Sequence, residues 1–232
     1  MPSGPIPVAI ALESGLVLRG HEFSVDGPPI VFVHDFDADL DAWVPVTSQM
    51  AGQGFRVISM DLRGHGLSEG EPDPLSAIDD LRGMLGEIRA IFGPVGLVSY
   101  GRMAHASFFI DERWGAPAQI AVSPVPAEDL NLDIDQSKPA MRMITYGSND
   151  AESSTFVDDY YGRLRGQKLL VSTGADESGP ELIRKRPQIM EHMTMFMRRY
   201  LTGHHLAFIA DHADEIAARA EQIAAATETE SG

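Results

Sequence analysis

Two rhythms of apolar residues divide the chain. Short runs rich in apolar and β-branched residues, at 30–33, 55–60, 95–98, 118–123, 138–146 and 168–172, read as strands. The run at 30–33 has no polar face, as a parallel strand covered by helices on both sides requires. Between these runs the spacing turns helical. Residues 76–92 set Ile78, Leu81, Leu85, Ile88 and Ile91 three or four apart on one face. Residues 41–50 begin a helix whose start is confined by Pro45, 103–111 continue a helix that opens near Arg102, and 155–164 are helical. A closing helix spans 186–201, with Pro187 in its first turn. Residues 1–8 are Pro-rich and read as irregular, and 9–25 read as a hairpin of antiparallel edge strands ended by Gly27-Pro-Pro29. Strands alternating with helices at this spacing predict an α/β fold, a mostly parallel central sheet with helices on both faces.

Beyond Gly203 the rhythm changes again. Leu206, Ile209, Ala213, Ile216, Ala220 and Ile223 fall at alternating spacings of three and four, a 3.5-residue repeat. Such a stripe either folds back on its own domain or forms a seam over 206–223 with a protein partner or a second copy, giving a homodimer. The division expected is therefore a domain at 1–201 and a helical extension at 202–232, with a disordered tail at 227–232.

Composition narrows the function classes. The 232 residues include 34 acidic and 18 basic ones, a formal net charge of −16. A surface so acidic argues against nucleic acid or an anionic membrane as partner, since both select Lys/Arg clusters. There is no cysteine, hence no disulfide, thiol nucleophile or cysteine-held metal. No run of about 18 apolar residues and no signal-like N-terminus occurs, which predicts a soluble, cytoplasmic protein. Asp35, Asp37, Asp39 and Asp41 alternate as in a calcium loop, but the sixth position is Leu40 and the twelfth is Val46, so no metal and no cofactor is expected.

Three fragments carry a resemblance. They are the run at 30–33 followed by His34-Asp35-Phe36, the turn Asp61-Leu-Arg-Gly-His-Gly-Leu-Ser68, and the strand-to-helix turn Ser99-Tyr100-Gly101-Arg102-Met103. Together they resemble the α/β-hydrolase superfamily over about residues 9–201. In that superfamily the turn after the central strand has the form G-x-S-x-G, with the nucleophilic serine at its apex. The resemblance implies a lidless member, because only about fifteen residues separate the strand at 118–123 from the next one, where a lid is often inserted.

Carried over position by position, the resemblance yields a degenerate triad. The nucleophile position is Gly101. The acid, in a G-x-x-D turn, is Asp150 of Gly147-Ser-Asn-Asp150, and the histidine position is Glu177, after Gly174. His34, Asp35 and Phe36 occupy the loop whose backbone N–H supplies half of an oxyanion hole, with Asp35 in place of a glycine. The expected pocket is bordered by Asp35, Asp150 and Glu177, with Arg102 as the nearby cation. Ligand contacts are expected from His34, Asp35, Phe36, Tyr100, Gly101 and Arg102. Ser99 lies deeper in the sheet and His105 one turn along the helix, and neither replaces the missing groups. The expectation is a pseudo-hydrolase that binds a small molecule or a protein partner; the alternative is a hydrolase of ester, amide or other acyl substrates with a rewired site.

Overall fold

The computed structural model describes residues 4–111, 113, 116–216 and 218. Eight strands form one sheet in the order β1-β2-β4-β3-β5-β6-β7-β8. They are β1 (Ile6–Ala11), β2 (Val17–Phe23), β3 (Pro29–Val33), β4 (Arg56–Met60), β5 (Gly96–Tyr100), β6 (Ala118–Pro124), β7 (Met141–Gly147) and β8 (Lys168–Thr173). β1 and β2 are antiparallel to their neighbours, and the strands from β4 through β3 and β5 to β8 run parallel. The hairpin expected over 9–25 forms, but its first strand starts at Ile6. Pro7 is tolerated there because β1 is an edge whose outer side needs no ladder donor.

Helices cover both faces, as the strand pattern requires. On one side α1 (Val46–Ala51), α5 (Gly179–Lys185) and α6 (Pro187–Tyr200) pack on Ile30, Phe32, Val57, Val98 and Ile120. On the other, α2 (Ala77–Phe92), α3 (Gly101–Ser107) and α4 (Ala151–Tyr160) cover Val31, Val33, Leu97, Ala121 and Ile144. The alternation of Ile30 and Phe32 with Val31 and Val33 between the two cores is the period-two signature of a doubly buried strand.

Several element bounds differ from those read in the sequence, each for a local reason. α4 begins at Ala151, before Thr155, because Asp150 caps it. α5 is a helix not expected from the sequence, and it opens at Gly179 with proline in its first turn. α3 ends at Ser107, short of Asp111. Its chain tightens into i→i−3 bonds, from Phe108 N to His105 O through Ile110 N to Ser107 O, and the Phe108 carbonyl is taken by Lys138 N and the Arg142 guanidinium. Arg142 is fully buried and has no carboxylate partner among the described residues. It donates to the Gln119 side chain at 3.0 Å and to the carbonyls of Arg165, Phe108 and Lys138, tying down the end of the sheet opposite the elbow.

The last described helix is α7 (Thr202–Asp211). Its stripe does not fold onto the domain. Phe208 lies over Gly93, where a Cβ would run into its ring, while Leu206 (61% exposed), Ile209 and Ile216 (38% each) face outward. The hydrogen bond from Ile216 N to His212 O carries the helical path past Asp211. Ala220, Ile223 and the tail at 227–232 lie outside the described residues.

Candidate active site

The turn from β5 into α3 takes a single residue. Tyr100 is extended (φ −136°, ψ 166°), Gly101 is left-handed (φ +63°), and the helix begins at once. Only glycine adopts that φ without steric cost, so the backbone has the shape of a strained elbow and none of its strain. Gly101 is buried. A Cβ built on it would overlap Asp35 Oδ2 and lie 2.7 Å from Asp35 Cγ.

Asp35 is the side chain that fills the elbow. Its Oδ1 accepts from Phe36 N at 2.8 Å, Arg102 N at 3.1 Å and Met103 N at 3.4 Å, with Arg102 Nε 3.6 Å away. Burial pushes its carboxyl above the ordinary aspartate value, and these hydrogen bonds and the Arg102 charge oppose that shift. The Arg102 guanidinium lies over the Phe36 ring at 5.3 Å and also reaches Asp37 at 2.6 Å and Asp129 at 3.9 Å. Asp35 therefore turns toward the N–H groups of the elbow instead of away from them.

His34 holds the loop from beneath. It is fully buried; Nδ1 lies 2.7 Å from Asp35 O, and Nε2 accepts from Leu62 N at 2.9 Å. One donor and one acceptor describe a neutral imidazole, and burial lowers its pKa accordingly. Asp61, 3.6 Å from Nε2, accepts from Leu40 N at 2.9 Å. The His34 ring thus joins the ends of β3 and β4 from inside the protein. Tyr100 is half-buried, stacked edge-on with Trp43 at 5.2 Å.

Asp150 and Glu177, the other two positions expected from the resemblance, make contacts of their own. Asp150 caps α4, accepting from Ser153 Oγ at 2.7 Å and Ser153 N at 3.5 Å. Glu177 pairs with Lys185 at 3.6 Å and Arg186 at 3.4 Å. Of the three carboxylates expected to border one pocket, Asp35 is the one ion-paired with Arg102. Ser99 is buried and donates to Ser107 Oγ at 3.1 Å. His105 is buried among Phe108, Phe109, Phe156 and Tyr160, with Nδ1 accepting from Ala127 N at 3.0 Å; burial lowers its pKa to about 4.

One contributor has no sequence signal. Ser123, at the end of β6, has φ +45° and is fully buried, and its Oγ accepts from Gly179 N at 2.9 Å. That bond draws the start of α5 against the elbow, where a Cβ on Gly179 would sit 3.0 Å from the Tyr100 ring. The segment after β8, which carries Glu177, is thereby docked on the turn. Beside the elbow opens a cleft of about 480 Å³ lined by Arg102, Pro126, Glu128, Asp129, Glu152 and Thr155. Among the described residues no group of three or more His, Asp or Glu is placed to hold a metal ion, and no helix is long and apolar enough to cross a membrane.

The fold has counterparts among known proteins. A family model described as α/β hydrolase fold matches residues 28–101, the segment from β3 to the elbow. An esterase from Pyrococcus furiosus superposes with a TM-score of 0.70 at 16% identity, over 85% of this chain and 93% of that one. The fold is that of the α/β hydrolases. An α/β hydrolase from Penicillium superposes with a TM-score of 0.71 at 15% identity, over 86% and 99% of the two chains. An Exiguobacterium antarcticum esterase gives 0.65 at 12% identity, over 83% and 100%. No curated protein matches the chain in sequence. In an α/β hydrolase the elbow N–H groups face the developing oxyanion, and here Phe36 N and Arg102 N face Asp35.

Proposed function

We propose that the chain is a catalytically silent α/β-hydrolase-fold protein that binds a small molecule or a protein partner. The observation that carries this reading is the elbow: its apex is a buried glycine, and a carboxylate occupies the place of the reacting groups. Without a nucleophile, a triad site retains only about 10³ to 10⁴ of its acceleration, from binding and the oxyanion hole. Asp35 takes up the elbow N–H donors as well. The cleft beside Arg102 is the place for a small-molecule ligand; of the six residues expected to contact one, Arg102 lines it, and Asp35 reaches it through its ion pair with Arg102. The outward stripe of α7 is the surface for a protein partner or a second copy, and it belongs to the extension after residue 201.

A hydrolase with a rewired site is the second reading, and the esterases among the structural relatives favour it. Hydrolysis of p-nitrophenyl acetate and butyrate by the purified chain separates the two. The expected rate is that of buffer. A rate well above buffer that Asp35→Asn abolishes would overturn the silent reading and make Asp35 part of a working site.

A further inference from the structure

We infer that Asp35 is an internal ligand of the elbow. Its carboxylate takes the hydrogen bonds a turn of this shape offers to an oxyanion and the volume a nucleophile side chain would fill, so that Asp35 and Gly101 form one interdependent unit. This deepens the reading of the turn as a vestigial nucleophile elbow and rests on it.

The two oxygens divide the work. Oδ1 gathers three backbone N–H groups, two of them from a segment 67 residues further along the chain, and Oδ2 faces Gly101. α3 receives no side-chain cap from Tyr100, the residue that precedes it, so its first free donors are satisfied by Asp35 from across the sheet. Were Asp35 only a remote cap, position 101 would accept any residue able to reach a φ of +63°. The overlap with Oδ2 means that a Cβ of any kind must push the Asp35 carboxylate off its donors. Conversely, a glycine at position 35 would leave Arg102 N and Met103 N without their acceptor and Arg102 without one of its three carboxylates. A serine restored at the apex therefore displaces the Asp35 carboxylate unless Asp35 is removed with it.

Thermal unfolding of the full chain tests this through Gly101→Ala in three backgrounds. In the otherwise unchanged protein, Gly101→Ala should lower the melting temperature by roughly 5 °C or more, the scale of an overpacked core position. Combined with Asp35→Gly, it should cost at most half as much, because only the backbone term remains. Combined with Asp35→Asn, which keeps the volume and loses the charge, the cost should stay near its full size. Shifts that simply add, or relief by Asp35→Asn equal to that by Asp35→Gly, overturn the proposal. Should Gly101→Ala fail to fold, amide exchange in the Asp35→Gly variant decides. Arg102 and Met103 should lose protection about tenfold or more, and unchanged protection overturns the proposal. Esterase activity in the unmodified chain would remove the silent reading and leave this coupling measurable on its own, so the two failures are distinct.

Discussion

His105 shows how far a single residue departs from the role its position suggests. One turn past the elbow, it sits where a base could lie, yet aromatic rings surround it and Ala127 N occupies its acceptor nitrogen. In the unfolded chain it would take a proton near pH 6.5, and in the native protein only near pH 4. The unfolded state therefore binds the extra proton between those values, and stability falls as pH drops from about 6.5 to about 4. The span corresponds to about 3 kcal/mol at most. Burial of His34 acts in the same direction, and the raised carboxyl of Asp35 acts against it. Melting temperatures across this range should decline, and His105→Gln, which keeps an acceptor for Ala127 N, should flatten the decline. Equal slopes for the two proteins would show that the titrating groups are elsewhere.

Elements were legible in proportion to how local their causes are. The strands and α2 follow from periodicity, and the elbow from a glycine after an apolar run, so the α/β hydrolase fold was readable from residues 30–104. The glycine at the apex was readable too. What the sequence could not supply was the direction in which Asp35 turns, because that is decided by donors on α3. Nor could it show the hold of Ser123 on Gly179 across 56 residues. Asp150 illustrates the ambiguity within one element. The motif Gly147-Ser-Asn-Asp150 fits a triad acid, but Asp followed by Ser153 at the third position is also a helix start, and the side chain adopts the cap. Asp150→Ala should cost about 1 kcal/mol, a fall in melting temperature of about 2 to 4 °C, and Asp150→Ser should restore most of it. Chemical denaturation gives the free energies directly. A loss in Asp150→Ala that Asp150→Ser fails to recover would mean that the carboxylate does something other than cap α4.

At the scale of the whole molecule, a surface with a net charge of −16 repels its own copies, and any self-association must use a region free of charge. The outward face of α7 comes near to such a region, with Asp211, Asp214 and Glu215 exposed toward its C-terminal end. Leu206, Ile209, Ala213 and Ile216 are exposed, and the adjoining Gly203, Ala207 and Ala210 carry no charge. Their alternating spacing of three and four suits a second helix better than a sheet, and the domain's own contact with α7 runs instead through Phe208. Three or four helical turns bury less than the roughly 1,200 Å² of a stable interface, so pairing through this stripe alone should be weak and reversible. Salt screens the repulsion of the acidic bodies and leaves apolar contact intact, so association should strengthen as ionic strength rises, the reverse of a salt-bridged dimer. Sedimentation velocity at low and high salt should show a monomer–dimer equilibrium that moves toward dimer in high salt, and Leu206→Glu should abolish it. A chain that stays monomeric at every concentration and salt, or a Leu206→Glu variant that pairs as well as its parent, would assign the stripe to a different protein.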